Sequence, residues 1–62
     1  MDIYYNNELI NIPEGSSVSE VLAGMETAPI NLIVEVNGKF VPESEYSDFV
    51  VAKGDRITVK RL

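Results

Sequence analysis

The sequence predicts an α+β fold, a mixed sheet of four to five strands packed on one helix, as a single domain over residues 1–62. Three observations predict it. Short β-rich runs bracket the pairs Asn6-Asn7 and Asn37-Gly38, the turn chemistry of tight hairpins. An apolar stripe at helical spacing follows a helix-start signal between residues 17 and 25. The run Arg56-Ile57-Thr58-Val59-Lys60 alternates apolar and polar residues with the period of a strand that buries one face.

Taken in order, Ile3-Tyr4-Tyr5 and Leu9-Ile10-Asn11-Ile12 form the first hairpin. Alternation places Met1, Ile3 and Tyr5 on the buried face with Ile10 and Ile12, and leaves Asp2, Tyr4, Leu9 and Asn11 outside. Pro13-Glu14-Gly15 ends the second strand, because proline removes a ladder donor and glycine permits a turn. Ser17 with Glu20 three residues later is a capping box, and Val18, Val21, Leu22 and Met25 make one helical stripe. Gly24 and Thr27-Ala28-Pro29 stop the helix after two or three turns, so it must pack on the sheet to persist. The run from Ile30 to Val36 reads as a central strand, and Asn37-Gly38 turns it into the short strand Phe40-Val41, which Pro42 stops. Ser44 is placed to cap a single turn carrying Tyr46 and Phe49, both expected in the core. Lys53-Gly54-Asp55 turns the chain into the last strand, with Ile57 and Val59 inward and Arg56, Thr58 and Lys60 outward.

Composition excludes most chemistry. With no cysteine and no histidine there is no disulfide, no thiol nucleophile, no imidazole base and no common transition-metal ligand, so the chain reads as a non-enzyme without a cofactor. Glu43, Glu45 and Asp48 lie close together, yet lack the spacing of a calcium loop, and no metal is expected there. The turn Gly15-Ser16-Ser17 into the helix has the form of an anion-accepting terminus, but no phosphate-binding lysine follows it. No apolar run approaches the length of a membrane span, and the N-terminus lacks the basic cluster of a signal peptide, which points to a cytoplasmic protein with no membrane partner.

The net charge of −5 opposes nucleic-acid binding, which rests on lysine and arginine. The charge is also segregated. Residues 1–48 hold nine acids against Lys39, whereas residues 49–62 hold Lys53, Arg56, Lys60 and Arg61 against Asp55. Two faces of opposite sign suit the orientation of a protein partner, while a merely solvated surface produces the same count.

A hairpin, a crossing helix and further strands allow the first and last strands to lie side by side in the middle of the sheet and parallel, the β-grasp or ubiquitin-like arrangement. A small barrel of the SH3 or OB type is the competitor, and the capped helix argues against it. The run Val36-Asn37-Gly38-Lys39-Phe40-Val41-Pro42, then Ser44-Glu45-Tyr46 and Gly54-Asp55-Arg56-Ile57, resembles the ThiS family of ubiquitin-like sulfur carriers of thiamine biosynthesis. The helix entry Gly15-Ser16-Ser17-Val18-Ser19-Glu20-Val21-Leu22 is similar to the family's Gly-Ser/Thr-Val-x-x-Leu-Leu. The related MoaD carriers are usually longer.

That resemblance implies a carrier acted on by a ThiF-like adenylating enzyme and serving a ThiG-like thiazole synthase. In the family, a flexible tail ending in Gly-Gly presents a carboxylate that is adenylated with ATP and converted to a thiocarboxylate. Glycines suit such a tail because they lack Cβ and let the backbone approach closely. Here the sequence reads Val59-Lys60-Arg61-Leu62 with no glycine after Gly54, so no catalytic residue carries over. A shortened carrier and a relative that acts only as a ubiquitin-like binding module both stay open. The resemblance also implies docking through the sheet face turned from the helix. On this chain that face comprises Tyr4, Leu9, Arg56, Thr58 and Lys60, with Arg61 and Leu62 leading off it.

Overall fold

A computed structural model describes all 62 residues. The elements run β1 (Asp2–Tyr5), β2 (Glu8–Asn11), α1 (Val18–Gly24), β3 (Leu32–Val36), β4 (Lys39–Val41), a 3-10 turn (Glu43–Glu45) and β5 (Arg56–Arg61). They form one five-stranded sheet in the order β2-β1-β5-β3-β4. β1 and β5 are parallel, and the other three pairings are antiparallel. The first and last strands therefore lie side by side in the middle, and β3 is an interior strand flanked by β5 and β4, as its apolar run suggested.

The two hairpins turn where expected, for a common reason. Asn6 and Asn7 have φ of 48° and 68°, and Asn37 and Gly38 have φ of 54° and 83°. Left-handed values at both central positions match the twist of the flanking strands. Asparagine tolerates that region better than other side chains do.

One face of the sheet packs on α1. Ile3, Tyr5, Val34, Val36 and Ile57 from the sheet meet Val18, Val21 and Leu22 from the helix, with Val41, Tyr46 and Val51 closing the core. Met1, Ile10, Ile12, Met25, Leu32, Phe49 and Val59 pack around it half-buried. Tyr46 is in the core as expected, but Phe49 sits only at its margin.

The helix N-terminus is fully subscribed. Ser17 Oγ accepts from Glu20 N–H at 3.1 Å, and Glu20 Oε1 accepts from Ser17 N–H at 3.0 Å. Val18 N–H donates to Phe49 O and Ser19 N–H to Tyr46 O, each at 2.9 Å. The free amides that a helix start normally offers are thus consumed by the segment 46–49. The anion-accepting terminus read from Gly15-Ser16-Ser17 is overturned by these bonds.

Two further expectations are corrected. β3 begins at Leu32, because Asn31 takes a φ of 56° and breaks the extended run that Ile30 was expected to start. Ser44 lies inside the 3-10 turn rather than capping it; Pro42 occupies the cap position and no side chain bonds there.

Candidate functional site

The register of the ladders decides which side chains share the outer face. Leu9 stands opposite Tyr4, and Tyr4 opposite Arg56, so one row crosses β2, β1 and β5. Phe40 stands opposite Glu35 and Glu35 opposite Thr58, making a second row over β4, β3 and β5. Ile33 pairs with Lys60 in a third. Facing residues in a ladder project to the same side, so these eight side chains line the surface turned away from α1.

Tyr4, Leu9, Arg56, Thr58 and Lys60 are accordingly brought together as the alternation predicted. Arg61 is not. It pairs with Leu32, whose parity is that of the buried Val34, and so belongs to the helix side at the end of the sheet. Leu62 follows, its N–H donating to Asn31 O at 2.7 Å and its side chain 79% exposed.

Phe40, Ile33 and Glu35 complete the face and were missed by sequence reasoning. The signal was present: a two-residue Asn-Gly turn sets Phe40 opposite Glu35, and alternation in Leu32–Val36 puts Ile33 and Glu35 opposite the core set. Phe40 is 64% exposed and Leu9 57%, so the face holds two large apolar groups in open solvent. The Arg56 guanidinium lies 4.4 Å from the centre of the Tyr4 ring. That distance is within cation–π range and holds the ring and the charge as a unit. The face carries both signs, Arg56 and Lys60 against Glu35 and Asp2. Asp2 Oδ1 accepts from Asn11 Nδ2 at 2.9 Å.

Side-chain amides order the loops at one end of this face. Asn37 Nδ2 donates to Asp55 Oδ1 at 3.0 Å, and Asn37 Oδ1 accepts from Arg56 N–H at 2.9 Å. Asp55 Oδ2 also accepts from Ala52 N–H at 2.8 Å. Asn6 Oδ1 accepts from Val59 N–H at 2.8 Å, continuing the bonding along β5 past the point where β1 turns away. β5 is thereby fixed on both sides close to where the face ends.

No three acidic, histidine or cysteine side chains are grouped to hold a metal ion. No helix is long and apolar enough to cross a membrane.

A five-stranded mixed sheet in this order, gripping one helix and presenting a broad outer face, defines the class of ubiquitin-like β-grasp proteins. The model of the ThiS family matches residues 3–59, and the chain belongs to that family. The crystal structure of a thiamine biosynthesis protein (ThiS) from Geobacter metallireducens superposes with a TM-score of 0.89 at 22% identity, covering 100% of this chain and 94% of that one. The solution structure of a thiamine biosynthesis protein from the same organism gives 0.82 at 22% identity, covering 100% and 83%. These likenesses establish the fold. No curated protein matches the chain.

Proposed function

We propose that this protein is a sulfur carrier of thiamine biosynthesis, a substrate of other enzymes and not itself a catalyst. The observation that carries the reading is the family match over nearly the whole chain. The absence of histidine and cysteine agrees with it, because a carrier needs no base or nucleophile of its own.

A carboxylate is a poor electrophile. In the carrier cycle a ThiF-like enzyme transfers AMP from ATP to the C-terminal carboxylate, releasing pyrophosphate, and a sulfur donor then displaces AMP to leave a thiocarboxylate. A ThiG-like synthase takes the sulfur. The folded body contributes recognition: the outer face of Tyr4, Leu9, Arg56, Thr58 and Lys60, extended by Phe40 and Ile33, is the docking surface, and the chain runs on from the end of β5 through Arg61, on the helix side, and Leu62 towards the activating site. Residues 55–62 contain no glycine, so in this reading no residue among 1–62 is assigned the reactive carboxylate.

The test is intact-mass spectrometry of the chain extended by a short tail ending in Gly-Gly, incubated with ATP, a sulfur donor and a ThiF-like enzyme. The expected gain is the difference between one sulfur and one oxygen atom. An unchanged mass, beside a known carrier that reacts normally, would replace the carrier reading with that of a binding module. Lys60→Glu in the extended chain is expected to slow adenylation while leaving the fold intact.

A further inference from the structure

The two edges of the sheet are managed differently. β4 is three residues long, starts at Lys39 and is stopped by Pro42, the devices by which an edge is closed to another strand. β2 has no lysine, proline or bulge between Glu8 and Asn11. Its hydrogen-bonding parity follows from one pair. Met1 and Ile12 exchange bonds, with Ile12 N–H donating to Met1 O at 2.8 Å and the Met1 ammonium donating to Ile12 O at 2.6 Å. Bonded and non-bonded pairs alternate along an antiparallel ladder. Ile10 and Glu8 therefore bond to β1, and the N–H and C=O of Leu9 and of Asn11 point away from the sheet.

Beside that edge lies a groove of about 360 Å³, walled by Ile10, Ile12 and Pro13 on one side and by Val21, Gly24 and Met25 of the helix region on the other. Gly24 opens the helix wall. A Cβ there would meet nothing within 4 Å, and the residue is in ordinary helical conformation. The surroundings are acidic: residues 8–26 contain Glu8, Glu14, Glu20 and Glu26 and no lysine or arginine.

We propose that this groove takes an extended segment of a partner protein, apolar at its centre and flanked by lysine or arginine, as a sixth strand on β2. The backbone of Leu9 and Asn11 supplies its hydrogen bonds, the groove takes alternate apolar side chains, and the glutamates select basic flanks. The same charge disfavours a second copy of this chain, since pairing β2 with β2 would bring the glutamates of both copies together. No side chain lining the groove belongs to the three rows of the outer face, and of those rows the added strand uses only the backbone of Leu9, so the proposal stands or falls independently of the carrier reading.

The test uses the intact protein, ¹⁵N-labelled, with a synthetic peptide of alternating valine and threonine bearing a lysine at each end. The control is the same peptide with a glutamate at each end. The lysine peptide is expected to shift the amide resonances of Leu9, Asn11 and Gly24 and to slow exchange of the Leu9 and Asn11 amides. It should bind about tenfold more tightly than the glutamate peptide. Gly24→Arg, which fills the groove without touching the core, should weaken binding by about tenfold or more with the circular dichroism unchanged. Glu14→Lys should narrow the difference between the two peptides. Equal affinity for both peptides, shifts confined to Tyr4 and Thr58, or no shift at all would overturn the proposal. Concentration-dependent shifts of Leu9 and Asn11 without peptide would overturn it too, by identifying a second copy as the occupant.

Discussion

Asn37 concentrates several demands in one side chain. Its backbone sits in the left-handed region, its carboxamide donates to Asp55, and it accepts from the Arg56 amide at the start of β5. Replacing it with alanine removes both bonds and leaves positive φ on a residue without the polar side chain that makes that region tolerable. Asn37→Ala is expected to cost about 1–3 kcal/mol in urea denaturation. Asn37→Gly, which keeps the φ but not the bonds, should cost less. Equal losses in the two variants would mean that the backbone conformation contributes nothing. The Asn-Gly pair announced a turn in the sequence, but the tie to a residue eighteen positions away did not show, because a side-chain bond of that separation depends on where β5 lands.

Among the elements, the helix shows how local rules are met and broken. Its start obeys the capping box read from Ser17 and Glu20. Its end falls at Gly24 as read from the sequence, but the glycine does not take the left-handed position that favours it. Gly24 is the last helical residue, and the left-handed position falls on Glu26, with φ of 55°. Glu26 N–H donates to Ala23 O at 3.0 Å and Thr27 N–H to Leu22 O at 2.9 Å, the pair of bonds of a Schellman end. Glutamate is costly at that position and glycine is costly inside the helix. The double variant Gly24→Ala with Glu26→Gly is therefore expected to raise stability by about 1–2 kcal/mol, read as a higher thermal midpoint. A fall in the midpoint would show that Glu26 makes a contribution beyond its backbone. Tyr5 OH and Thr27 Oγ1 lie 3.1 Å apart and pin this end of the helix to β1, which explains why the chain accepts a poor residue at the turn.

On the scale of the whole molecule, a single core of eleven buried residues holds the sheet to the helix. Tyr46 is part of that core and is 5% exposed. Burial, and then the neighbouring Glu43 carboxylate, push its phenol above the ordinary value of 10.0. A raised phenol pKa means that the unfolded chain ionises first. Stability is unaffected by this group below pH 10 and falls as the pH rises from there through the folded-state value. Tyr46→Phe is expected to flatten that alkaline decline in urea midpoints measured between neutral pH and pH 11. An unchanged slope would place the titrating group elsewhere. The outer face belongs to this scale as well, since its three rows draw on all five strands and exist only when the sheet is assembled.

Alternation, turn pairs and the capping box were sufficient to specify the elements, the inward and outward sets of β1, β2 and β5, and the family resemblance. These signals are local, carried by residues within a few positions of one another. The extent of the outer face was only partly legible. Tyr4, Leu9, Arg56, Thr58 and Lys60 follow from parity within strands, but Phe40 and Ile33 join them only through the neighbouring ladders of β3 with β4 and β5. The satisfied helix N-terminus and the open edge of β2 were decided by tertiary structure alone. Each depends on which strands become neighbours, and that is settled by burying the common core, a property that no local stretch of the chain contains.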